Sequence, residues 1–150
     1  MQKINFRIAE LNDVAAIITL LADDVLGSTR ENPTLLPAYI NAFKNIQQNP
    51  NAELWIAECK QQIVGVAQVD YITYLTYQGG MRAQIEGVRV HKDFRNLGIG
   101  RQLIEKIIVQ ARIRRCHMVQ LTTNKSRQEA LSFYEAIGFK ATHEGLKLML

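Results

Sequence analysis

The hydrophobic and polar positions of this 150-residue chain switch repeatedly between a period of two and a period near 3.6, which predicts strands alternating with helices. Ile4 to Ile8 reads as a strand. Asn12 or Asp13 is placed to cap a helix running to about Leu26, with Val14, Ile17, Ile18 and Leu21 on one stripe. Gly27 to Pro33 is a turn-rich break, and a second helix from about Leu35 carries Leu36, Tyr39, Ile40, Phe43 and Ile46 at helical spacing until Asn49-Pro50-Asn51 ends it. Leu54 to Ala57 and Ile63 to Val69 read as an antiparallel pair around Lys60-Gln61-Gln62, and Gly79-Gly80 leads into a strand ending at His91.

The second half continues the alternation. A long helix from about Leu97 to Arg114 has Ile99, Leu103, Ile104, Ile107, Ile108 and Ala111 on its buried stripe. Met118 to Thr122 reads as a buried strand, Arg127 to Ile137 as a helix stopped by Gly138, and Phe139 to His143 and Leu146 to Leu150 as two strands meeting at Glu144-Gly145. The pattern predicts a three-layer α/β domain with helices on both faces of a mixed sheet.

Composition narrows the class. With 47% hydrophobic residues and no composition shift marking a linker, residues 1–150 are expected to form one globular domain with a real core. Met1 to Asn5 lacks a signal-peptide apolar segment and no apolar run is long enough to cross a bilayer, so a cytoplasmic protein without a membrane partner is expected. Cys59 and Cys116 form no CxxC pair and His91, His117 and His143 have no ligand spacing, so two buried, reduced thiols and no metal are expected. The net charge of +4 fits either a polyphosphate cofactor or a nucleic-acid partner. Its densest cluster, Arg112, Arg114 and Arg115, complements the negative end of the long helix, and aromatic residues are not interleaved with it, so no nucleic-acid partner is expected.

Candidate chemistry concentrates at Arg95-Asn96-Leu97-Gly98-Ile99-Gly100, between an alternating strand and the long helix. Glycines there let the backbone approach a ligand, and the helix start adds unpaired amides and the positive end of its dipole. A P-loop is excluded because Arg101-Gln102 follows Gly100 where Lys-Ser/Thr is needed. A dinucleotide fingerprint is excluded because position 103 is Leu and the next strand holds no acid. What remains is a pyrophosphate loop of another kind.

The run Val88-Arg89-Val90-His91-Lys92-Asp93-Phe94-Arg95-Asn96-Leu97-Gly98-Ile99-Gly100 resembles the acetyl-CoA motif of the GNAT N-acetyltransferases, Arg/Gln-x-x-Gly-x-Gly/Ala after a Val-x-Val strand. Ala130-Leu131-Ser132-Phe133-Tyr134-Glu135-Ala136-Ile137-Gly138-Phe139 is similar to the family's Tyr-Glu-x-x-Gly-Phe helix end. The resemblance implies the three-layer GNAT fold, with a mixed, mostly antiparallel sheet splayed at the cofactor strand and acetyl-CoA as cosubstrate in that wedge. It assigns the pyrophosphate to Arg95, Asn96, Leu97, Gly98, Ile99, Gly100 and Arg101. The pantetheine arm falls to the main chain of Val88, Arg89 and Val90. Relatives commonly carry an Asn seven positions before the Tyr, and that position is Arg127 here. Asn124 three residues earlier is one substitute, and Arg127 turned toward a cofactor phosphate is the other. Because the family often forms dimers, a homodimer enters the expectation although no interface is visible in the sequence.

Glu86 shares strand parity with Val88 and Val90 and is expected on their face, with Val88 and Val90 in the core. Its carboxylate is read either structurally, as an ion pair with Arg82 or Arg89 or an edge position in water, or as a general base for an acceptor ammonium. Gln84, two residues earlier, occupies a position where some relatives have the acid. Gly87 inside the strand predicts a bulge or a close backbone approach, and the resemblance implies the bulge. Tyr134 is read either as packing or, by the resemblance, as the hydrogen-bond donor to the departing thiolate. By the resemblance, the acceptor pocket is built from residues 27–36 and 71–82; Tyr74 and Tyr77 either line it or are ordinary packing, and Asp24, Glu31 and Asp70 either attract a cation or are solvated surface charges. The function implied is direct transfer of an acetyl group from acetyl-CoA to a primary amine of a small molecule, peptide or protein. The alternative is a CoA-binding sensor or interaction module without turnover.

Overall fold

Lys60 and Gln61 both take positive φ, 47° and 68°, the backbone geometry that matches a two-residue turn to the twist of its strands. Around them β2 (Ala52–Cys59) and β3 (Gln62–Thr73) pair antiparallel, β1 (Asn5–Ile8) adds to the outer side of β2, and β4 (Met81–Val90) to β3. β5 (Met118–Leu121) follows β4, so the mixed, open sheet has the order β1-β2-β3-β4-β5. The computed structural model describes residues 2–150, which form two compact units, residues 2–120 and Leu121–Leu150.

In the first unit, helices cover both faces of the sheet. α1 (Val14–Ala22) and α3 (Leu36–Gln48) bury Val14, Ile17, Ile18, Leu20 and Phe43 with Ile56 and Val66. On the opposite face, α5 (Ile99–Ile113) sets Ile99 and Leu103 over Gly65 of β3. Ile56, Ile85, Ile99, Leu103, Ile104 and Ile107 are all less than 2% exposed, so the predicted stripe of α5 is the core of that layer.

Several boundaries differ from the sequence reading. α1 stops at Ala22 rather than near Leu26, because Asp23 leaves helical geometry and the Asp24 carboxylate accepts a hydrogen bond from the Gly27 amide at the start of a short α2 (Gly27–Arg30). Asp13 precedes α1 but does not cap it with its side chain; the carboxylate turns back to Arg7 at 2.7 Å and to the Glu10 amide at 2.7 Å. The link from β3 to β4 contains a single turn, α4 (Thr76–Gly79), in which Tyr77 and Gln78 have positive φ. β5 is half-buried along its whole length rather than buried.

The second unit contains α6 (Gln128–Ile137), closed by Gly138 as expected. The two strands expected over 139–143 and 146–150 do not form among the described residues. Leu146, Leu148 and Leu150 keep the alternation of a strand but are 93%, 87% and 117% exposed. A two-stranded ribbon is marginal without a further strand or an apolar face to pack on, and the pattern alone does not supply one.

Candidate functional site

The site begins at an irregularity in β4. Val66 pairs with Arg89 and Gln68 with Glu86, so Ala67 of β3 stands opposite two residues, Gly87 and Val88. Gly87 takes φ 63°, open to glycine at little cost, and the extra residue makes the predicted bulge. The bulge overturns the parity expectation. Ile85 and Val90 pair with Val69 and Gly65 on the α5 face, whereas Glu86 and Arg89 pair with Gln68 and Val66 on the α1 face. Glu86 therefore does not share a face with Val90, because one inserted residue exchanges the faces of everything after it. Val88 and Val90 are half-buried rather than core.

On the α1 face, polar side chains form a continuous row. Gln120 of β5 donates to Gln84 at 2.7 Å, Gln84 donates to Glu86 at 3.4 Å, and Gln68 donates to Asp70 on the adjoining strand at 2.9 Å. Glu86 is exposed and accepts from Gln84 rather than pairing with an arginine. Arg82 instead donates to Thr76 Oγ1 at 3.0 Å and to Gln120 Oε1 at 3.4 Å, while its guanidinium lies 4.6 Å and 5.2 Å from the ring centres of Tyr74 and Tyr77. Arg89 forms an ion pair with Asp24 at 3.3 Å.

Of the expected acceptor carboxylates, Asp24 is thus engaged by Arg89, and Glu31 accepts from the Tyr39 hydroxyl at 2.9 Å. Asp70 faces the row beside Gln84. With Glu86 it gives the open sheet surface two carboxylates, suited to attracting a cation.

Past β4, the chain turns into the predicted loop. Asn96 and Gly98 take left-handed conformations, φ 61° and 76°, and Gly98 is the N-cap of α5. The first backbone bond of the helix runs from Gln102 N to Gly98 O at 3.0 Å, and among the described residues no backbone carbonyl accepts from the amides of Leu97, Gly98, Ile99 or Gly100. Four amides at the positive end of a 15-residue helix make an anion site of the kind a pyrophosphate fits. Arg95 Nε reaches back to Val90 O at 3.2 Å, and Arg89 Nη1 lies 3.2 Å from Val88 O. Two of the carbonyls assigned to the pantetheine arm thus already carry a guanidinium contact. Arg101 points along the helix to Glu105 at 2.8 Å. β4 has ten residues and β5 four, with His117 N bonded to Met81 O at 3.0 Å, so the later half of β4 runs past β5 and keeps an unpaired edge within this unit.

A second cluster went unread in the sequence. Arg114 donates to Glu53 at 3.2 Å and lies 4.1 Å above the Tyr71 ring, while the Tyr71 hydroxyl and the Trp55 indole donate to the same carboxylate at 3.0 Å and 2.9 Å. Burial, reinforced by Glu53, pushes the Tyr71 phenol up. The cluster ties the end of α5 to the sheet and removes Arg114 from the surface basic patch. Cys116 is half-buried, not buried, and burial raises its thiol, which keeps it protonated. No group of three or more His, Cys, Asp and Glu able to hold a metal occurs among the described residues.

In the second unit, Tyr134 lies on α6 between Phe133 and Phe139, with ring centres 5.0 Å and 5.8 Å away in edge contacts. Asn124 Oδ1 accepts from the Ser126 amide at 2.9 Å and hydroxyl at 2.8 Å, shaping the turn before the helix, and Arg127 is the N-cap residue of α6.

Three relatives and a family profile resemble this chain. A protein described as a transcriptional regulator from Bacillus halodurans C-125 has a structure similar over 99% of this chain and 100% of its own, with a TM-score of 0.96 and 48% identity. Glucosamine 6-phosphate N-acetyltransferase of Trypanosoma brucei brucei is 26% identical over 149 residues, 98% of this chain and 96% of that protein. A probable N-acetyltransferase, camello, of Xenopus tropicalis is 30% identical over 97 residues, 65% of this chain, and the match spans 42% of that protein's length. Residues 17–139, which contain the bulged strand, the left-handed loop and the Tyr134 helix, match the family profile described as acetyltransferase (GNAT), and the chain belongs to that family.

Proposed function

We propose that this acetyltransferase moves an acetyl group directly from acetyl-CoA to a primary amine. The observation that carries the reading is the run of unaccepted amides from Leu97 to Gly100 at the N-terminus of α5, reached straight from a bulged strand. In the reaction the amine nitrogen forms the C–N bond and the C–S bond breaks; the nitrogen gives up two protons, one from the ammonium to the base and on to solvent, and a second as the tetrahedral adduct collapses, which ends on the departing thiolate. Glu86, exposed beside the bulge, accepts the ammonium proton directly or through water. A main-chain amide of the bulged segment polarises the thioester carbonyl, and Tyr134 hydrogen-bonds the thiolate, a role taken from its motif. Arg95, Asn96 and Arg101 flank the pyrophosphate, with Asn124 or Arg127 on the pantetheine side. Holding thioester and amine together supplies much of the rate. The reading involves no metal, and neither cysteine lies in a motif that calls for a covalent step.

The proposal extends to a cytoplasmic homodimer acting on a soluble amine, without nucleic acid or membrane. No helix among the described residues is long and apolar enough to cross a membrane. The test is thiol release by Glu86→Gln and Tyr134→Phe. Each is expected to lose about a hundredfold in rate while still binding acetyl-CoA; unchanged rates remove both residues from the mechanism. A CoA-binding sensor predicts cofactor binding with no thiol release on any amine.

A further inference from the structure

The acceptor surface contains a cation that the family's transfer chemistry does not call for. The first unit has four half-buried arginines, Arg7, Arg82, Arg89 and Arg114. Three of them have a carboxylate: Arg7 has Asp13 and Glu58, Arg89 has Asp24, and Arg114 has Glu53. Arg82 has none within ion-pair distance among the described residues. Its polar contacts are a hydroxyl at 3.0 Å and an amide oxygen at 3.4 Å, its Nε is buried without a hydrogen-bond partner, and the faces of Tyr74 and Tyr77 hold the guanidinium. Tyr77 is itself stacked on His117 at 4.9 Å, which fixes the platform.

A half-buried guanidinium usually finds a carboxylate because its charge costs free energy to desolvate. Here aromatic faces and neutral oxygens hold it in place and leave the charge uncompensated. Such an arrangement presents a planar donor to an incoming anion. Arg82 and Glu86 lie on the same face of β4 before the bulge, with Gln84 between them and Gln120 bridging Arg82 to Gln84. Four residues along a strand separate them by about 13 Å at the backbone.

We infer that the acceptor is an amine that also carries an anionic group, a phosphate or a carboxylate several bonds from the nitrogen, and that Arg82 binds this group while Glu86 and the bulge receive the amine. The amides of Gln84 and Gln120 line the path between them as hydrogen-bond partners for a polar linker. The negative charge of Glu86 at one end and the positive charge of Arg82 at the other orient such a molecule in one direction only, with Asp70 opposite Gln84 midway along the row. An α-amino acid is too short for the span. This inference rests on the transferase reading.

The test is the affinity of CoA-loaded protein for matched amines, measured by calorimetry: glucosamine against glucosamine 6-phosphate, and a dipeptide amide against the free dipeptide. The anionic member of at least one pair is expected to bind about tenfold or more tightly. The pair that responds tells phosphate from carboxylate. Arg82→Gln is expected to collapse that ratio and Arg82→Lys to keep part of it. Affinities within about twofold for both pairs in the wild-type protein, or no measurable acceptor binding, overturn the inference and leave the transferase reading standing provided that acetyl-CoA still binds. Failure to bind acetyl-CoA removes that reading and the inference together.

Discussion

Arg89 of β4 and Asp24, just beyond the end of α1, form an ion pair at 3.3 Å with side chains only 11% and 17% exposed. The pair pins the segment between α1 and α2 to the strand immediately after the bulge. Asp24 also receives the Gly27 amide, so one carboxylate fixes both the strand and the start of α2. Asp24→Asn removes this carboxylate from beside a half-buried guanidinium. The expected loss is roughly 1–3 kcal/mol, less than for a fully buried pair because both groups keep some solvent. Chemical denaturation checks it, and a loss below about 0.3 kcal/mol contradicts the role of the pair.

Arg7 and Asp13 give a pH-dependent prediction. The Arg7 hydrogen bond is the main cause holding the Asp13 carboxyl below its ordinary value of 3.8. A carboxyl lowered by folding contributes stability that is fully present above the unfolded value and disappears as pH falls through the folded one. Asp13→Asn is expected to cost about 1 kcal/mol at pH 7. Its deficit against the wild type should shrink as pH falls below the ordinary carboxyl value of 3.8 and vanish once Asp13 is protonated in the folded protein. A deficit independent of pH would show that packing, not charge, is what Asp13 provides.

Gly98 and Gly87 test the backbone geometry. A Cβ at Gly98 would meet the Gln102 side chain at 3.8 Å and one at Gly87 would meet Leu21 at 3.9 Å, so neither substitution clashes. Their cost is conformational, about 1–2 kcal/mol for an alanine held at positive φ. Gly98→Ala should also weaken acetyl-CoA binding by about tenfold or more, because relief of the strain redirects amides that contact a charged group. An unchanged dissociation constant would place the cofactor elsewhere.

Which parts of this were legible in the sequence follows from the range of the interactions involved. The α5 stripe, the Lys60-Gln61 hairpin and the Gly87 bulge rest on local periodicity or single-residue conformational preference, and the structure has all three. The face of Glu86 was misread because parity counting assumes one residue per pairing step, and the predicted bulge itself breaks that count. Alternation at Leu146 to Leu150 records a capacity for strand that needs a pairing neighbour. The isolation of Arg82 and the engagement of Arg89 and Arg114 depend on residues distant in the chain, so no spacing announces them.

The central claim is that the amides following β4 hold acetyl-CoA for transfer to an amine. Titration of the wild-type protein with acetyl-CoA by calorimetry, followed by thiol release on adding amines, tests it most directly. Saturable binding with one site per chain, and thiol release that depends on the amine, is the predicted result. No binding of acetyl-CoA would contradict the account at its base.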